Sequence, residues 1–105
     1  MTDRELELTE LAQSSDSTVA IESAVALCKE FLFARKEYEK AEFTLFELAG
    51  FQGKSLGYII ELTLGEVYIG MGESTRAKRF LEIARDSTVD GVRGEAVRLL
   101  ETISG

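Results

Sequence analysis

Apolar residues recur along most of this chain at intervals of three and four, and no stretch alternates apolar and polar positions over the length of a strand. That is the period of the amphipathic helix. The first segment, "TDRELELTELAQ" (residues 2–13), predicts a short helix with Thr2 and Glu5 as a capping box and Leu8, Leu11 and Ala12 on one face. "SSDST" (14–18) breaks it, because such side chains favour turns and caps. A long helix follows over 19–36. Its apolar positions, Val19, Ala20, Ala24, Val25, Leu27, Cys28, Phe31, Leu32, Phe33 and Ala34, span so wide an arc that it must be covered on two sides.

Glu37 and Tyr38 restart the count, and Ala41, Leu45, Leu48 and Ala49 carry a further helix to "GFQG" (50–53), where glycine terminates it. Ser55 is placed to cap "LGYIIELTLGEVYIGM", with Gly70 and Gly72 at its end. Ser74 is placed to cap "TRAKRFLEIARD", with Ala77, Leu81 and Ala84 aligned. "STVD" breaks again, with Ser87 and Asp90 as a second capping arrangement. The last helix, "GVRGEAVRLLETI", turns Val92, Ala96, Leu99, Leu100 and Ile103 inward. The expectation is an all-α fold of about six helices, antiparallel neighbours joined by short loops.

The spacing of Leu64-Gly65, Tyr68, Gly72, Ala77, Leu81 and Ala84 resembles the tetratricopeptide repeat, a helix–turn–helix unit of 34 residues. In such a unit Gly65 and Ala77 are small where two helices approach, Tyr68 fills the space beside them, Gly72 makes the turn, and Leu81 and Ala84 pack against the next unit. A weaker copy lies at 22–55. Tyr38, Ala41, Leu45 and Leu48 follow the second-helix pattern, Leu32 stands where Tyr68 stands, and Cys28-Lys29 replaces the Leu-Gly pair. Ala41 and Ala77 are 36 residues apart, and the "GFQGKS" connection absorbs the excess over the standard period. The closing proline common in such repeats is absent, so Gly50–Gly53 and Asp86–Thr88 must make those turns. The resemblance implies one domain: a capping helix and linker (2–18), repeats at 19–53 and 54–87, and a second capping helix (88–105).

The resemblance also implies a short curved stack of helical hairpins whose first helices line a hollow side. Its inward positions would be Ser23, Ala26, Leu27, Glu30, Phe33 and Ala34 in the first copy, and Ile59, Leu62, Thr63, Glu66, Ile69 and Gly70 in the second. Some tetratricopeptide domains grip a C-terminal carboxylate with Lys, Arg and Asn here; none stands at these positions, and Glu30 and Glu66 would repel one. The partner-binding set is therefore Leu27, Glu30, Phe33, Ile59, Leu62, Glu66 and Ile69, an apolar trough with two glutamates suited to an amphipathic helix with Lys or Arg at its margins. Alternatively, Leu27, Phe33, Leu62 and Ile69 are core, covered by the first helix or by a second copy of the chain.

Composition narrows the chemistry. The 105 residues carry a formal net charge of −7, no histidine, no proline and a single cysteine. The acidity excludes the clustered basic surface that nucleic acid requires and disfavours anionic membranes. No apolar run reaches bilayer length and no signal peptide opens the chain, so a cytoplasmic protein is expected. Without histidine there is no Ser-His-Asp or Cys-His catalysis, and no Cys/His cluster for zinc. Cys28 lies among apolar residues as a structural thiol. Glu30 and Glu66 alone make too poor a carboxylate pair for a glycosidase or metal site, so no enzyme, metal or cofactor is expected. The expected function is a binding module or small chaperone holding a helical segment. The layout of "FARKEYEKAEFTLFELAG" and the segment from Leu64 onward is similar to the needle-subunit chaperones of type III secretion. The alternative is a self-assembling homodimer that buries the trough and has no client.

Overall fold

The computed structural model describes residues 2–48 and 55–104. The described residues are all helical or in turns, with no strand, as the periodicity requires. The chain divides into two compact units, residues 1–51 and 52–105.

In the first unit α1 (Asp3–Leu11) opens at Thr2, whose hydroxyl accepts from the Glu5 amide at 3.1 Å. Only this half of the expected capping box forms, because the Glu5 carboxylate is engaged elsewhere. Helix α2 (Ser17–Leu27) starts two residues earlier than the periodicity predicts, since Asp16 accepts from the Val19 amide at 3.2 Å and caps it. It continues through a π-helical turn at Cys28–Leu32, where the Phe33 amide reaches back five residues to the Cys28 carbonyl at 2.9 Å. Helix α3 (Tyr38–Phe43) leads into a second π turn at Thr44–Leu48 that packs against α2. The core of the unit is Leu8, Ala12, Ile21, Ala24, Leu27, Cys28, Leu32, Ala41 and Leu45. Cys28 is buried there, as a structural thiol should be. The glycine-rich stop at 50–53 lies outside the described residues.

The second unit contains α4 (Ile59–Gly70), α5 (Ser74–Ala84) and α6 (Asp90–Ser104), with its densest packing between α4 and α5. Three expectations about caps are corrected here. Helix α4 begins at Ile59 rather than after Ser55, because Leu56, Gly57 and Tyr58 have φ of 50°, 62° and 66°, a turn of the opposite hand. Ser74 is the first residue of α5 and not its cap, which is Glu73, whose side chain makes no capping hydrogen bond. The Ser87 hydroxyl accepts from the Val89 amide at 3.0 Å and so shapes the α5–α6 loop, while α6 starts at Asp90. Gly57 fits only as glycine: a Cβ there would stand 2.6 Å from Val89 Cγ2 and 2.9 Å from Ser87 Oγ.

The turns after α2 and α4 are the same motif 36 residues apart. After α4 the Glu73 amide donates to the Tyr68 carbonyl at 2.8 Å and Gly72 to Ile69 at 3.0 Å, with Gly72 at φ 76°. After α2 Glu37 donates to Leu32 at 2.9 Å and Lys36 to Phe33 at 3.1 Å, with Lys36 at φ 58°. This is the Schellman closure, in which a left-handed residue lets the chain satisfy the last helical carbonyls. Leu32 and Tyr68 are the two positions that the sequence register pairs. Lysine is strained in that conformation and glycine is not. Lys36→Gly is accordingly expected to raise stability by about 0.5–1 kcal/mol. Gly72→Ala, where an added Cβ meets nothing within 4 Å, should lower it by about the same amount. Thermal melts of both variants check the pair, and a loss in Lys36→Gly would contradict the assignment.

Candidate partner-binding faces

Helix α4 is apolar almost all round, and only Ile59, Glu66, Ile69 and Gly70 escape full burial. All four belong to the six α4 positions that the repeat resemblance turns inward toward a partner. The other two, Leu62 and Thr63, are buried, so Leu62 stands in the core and offers no open surface. Ile59, Glu66 and Gly70 follow one another along one side of the helix, and Ile69 lies beside them. This stripe is narrow and apolar, with one carboxylate. Glu66 is also within electrostatic reach of Arg98 on α6. The Arg98 guanidinium is raised above its ordinary value first by its hydrogen bonds with Glu95 (Nε to Oε2 at 2.9 Å) and further by the charge of Glu66.

In the first unit the candidate residues separate in the same way. Leu27 is buried, Phe33 is half-buried, and Glu30 is exposed within the π turn. The Phe33 ring leans on Tyr38, centroids 5.9 Å apart and planes at 36°. The Glu30 carboxylate accepts from Arg4 Nε at 3.4 Å and Nη2 at 3.3 Å. The repeat pattern that singles out Glu30 gives no sign of the arginine that meets it.

Two buried carboxylates escaped the sequence reading. Glu5 is 2% exposed and receives both arms of Arg35, Nη1 to Oε2 at 2.6 Å and Nη2 to Oε1 at 3.1 Å. The hydrogen bond from Arg35 holds its carboxyl below the usual range against the opposing effect of burial. Its position could have been found, because Glu5 shares a helical face with Leu8 and Ala12. Glu61, in the apolar run "IIELTL", is 1% exposed, and its Oε1 has no hydrogen-bond partner among the described residues. Desolvation pushes this carboxyl up, and a backbone hydrogen bond of its own residue works against the shift.

An open depression of about 560 Å³ is lined by Gly72, Glu73, Ser74, Thr75, Arg76 and Arg79. Among the described residues no group of three or more Cys, Asp or Glu is placed to hold a metal ion. No helix there is long and apolar enough to cross a membrane. Fold and surface together define the class: an all-α protein whose helix α4 keeps one narrow, largely apolar stripe incompletely buried. No family model, curated protein or solved structure matches the chain.

Proposed function

We propose that this chain is a protein-binding module, a small chaperone in kind, that holds an amphipathic helix of a partner against the open stripe of α4. The observation that carries the reading is the coincidence just described: the incompletely buried residues of α4 all fall on the side that the repeat pattern reserves for a partner. The net charge of −7 favours a partner with Lys or Arg flanking its apolar face, chiefly through encounter rate and selectivity. Burial of the partner's apolar side chains against Ile59 and Ile69 supplies the affinity. In the narrower form of the proposal the protein works in the cytoplasm and shields an aggregation-prone secreted subunit, in the manner of the needle-subunit chaperones its layout resembles.

The test is a titration with a helical peptide carrying leucine on one face and lysine on the other. Glu66→Lys and Ile69→Asp are each expected to weaken binding about tenfold with helicity unchanged by circular dichroism. Binding indifferent to both changes would remove the reading. A tight dimer in sedimentation that ignores the peptide would favour self-assembly instead.

A further inference from the structure

We propose that the start of α4 is a proton-controlled latch: while Glu61 keeps its proton the first turn stays wound, and losing it favours opening of that turn with the rest of the second unit still folded. The inference stands apart from the partner reading, although Ile59 of the open stripe lies in the turn concerned.

Three features converge on these residues. The first is Glu61 itself, 1% exposed and with Oε1 unpartnered among the described residues. The fold does not ask for a carboxyl there. In the register that pairs Leu32 with Tyr68, the first unit has buried Val25 at the corresponding place. The second feature is the entry to the helix. Leu56 and Tyr58 hold φ of 50° and 66°, left-handed values that disfavour any side chain with a Cβ. Unwinding the turn relieves both. The third is the set of contacts that opposes unwinding. Gly57 sits against Ser87 and Val89, Ile60 is fully buried, and Thr63 Oγ1 donates to the Ile59 carbonyl at 2.8 Å. Backbone strain and a buried carboxyl stand against those contacts, so a single proton can shift the balance.

The charged and titratable groups at this end of the unit leave Glu61 without an ion pair. They are the Tyr58 phenol in the entry turn, Glu82, Arg85 and Asp86 at the end of α5, and Asp90 and Arg93 at the start of α6. The five beyond Tyr58 are exposed, and Arg93 is taken up by Asp90 and by the Ser87 carbonyl. Burial is what raises the Glu61 carboxyl, so opening, which hydrates it, is favoured as pH rises.

Native-state hydrogen exchange of the full chain between about pH 4.5 and 7.5, corrected for intrinsic rates, tests this. The amides of Leu62 and Thr63, bonded across the first turn, should exchange faster than those of buried Val67 and Tyr68, by an opening short of global unfolding. Their protection should fall about tenfold per pH unit above the ordinary 4.5 until the folded carboxyl ionises. Glu61→Gln should abolish that response, with Glu61→Met as the second variant if the amide does not fold. Leu56→Gly, at a side chain 38% exposed, should raise the protection of both amides about two- to fivefold, and a fall would overturn the latch. Protection of Leu62 and Thr63 equal to that of Val67 and Tyr68 at every pH overturns it as well, and so does a pH response that survives loss of the carboxyl.

Discussion

Leu81→Ala is expected to lower the unfolding free energy by about 2–5 kcal/mol, because it empties a fully buried site between α4 and α5. The sharper result comes from combining it with Gly65→Ala. A Cβ on Gly65 would stand 2.4 Å from Leu81 Cδ2 and 2.7 Å from its Cγ. The branch point of a fully buried leucine cannot swing aside, so the helices must separate, at about 1–3 kcal/mol. Alanine's helix propensity over glycine returns roughly 1 kcal/mol of that. Gly65→Ala should therefore destabilise the unaltered protein yet stabilise the Leu81→Ala variant, where the clashing atoms are gone. Denaturant unfolding of the four proteins measures the cycle. A cost equal in both backgrounds would mean that the two helices do not meet at this point.

The second large effect concerns Glu61. Replacing it with methionine, of similar length and apolar, removes a buried carboxyl oxygen that has no hydrogen-bond partner among the described residues and is expected to stabilise the protein by about 1–3 kcal/mol at pH 7. The gain depends on pH with a definite sign. The folded state raises this carboxyl above its ordinary 4.5, so folding favours the protonated form. The stability that protonated Glu61 contributes is complete below about pH 4.5 and drains away as pH rises through the folded-state value. The advantage of Glu61→Met should accordingly be smallest in acid and grow toward neutrality. Glu5 behaves oppositely: its carboxyl is lowered by Arg35, so its contribution is present above about pH 4.5 and is lost on acidification. The two carboxyls pull the acid limb of the stability profile in opposite directions, and melts of Glu61→Met across pH 3–8 separate them. A gain that is constant over that range would show that Glu61 titrates alike in folded and unfolded chains.

What could be read in advance follows from which interactions are local. Helical period alone located the six helices and most of their buried faces. Gly65 and Gly72 were legible because a missing side chain at a helical contact and a left-handed stop each point to glycine. Lys36 was not, since nothing in its chemistry announces a positive φ; only the register linking Leu32 to Tyr68 puts it beside Gly72. The left-handed run at 56–58 was hidden for the same reason, two of its three residues being Leu and Tyr. On the candidate faces, the geometry carried over from the repeat resemblance covers the incompletely buried positions of α4 but could not tell that Leu27 and Leu62 lie deeper than their neighbours, because burial at a stripe's edge depends on packing. The ion pairs of Arg4 and Arg35 join residues 26 and 30 positions away, beyond the reach of any local pattern.

The contact of Gly57 with Ser87 and Val89 makes the α5–α6 connection an unsuitable place for engineering. Surface connections normally accept added residues or grafted epitopes. This one is shaped to receive a backbone with no side chain, so lengthening it would push on the entrance to α4. A tag or reporter belongs instead between α1 and α2, at Ser14–Ser15, where Ser15 is exposed.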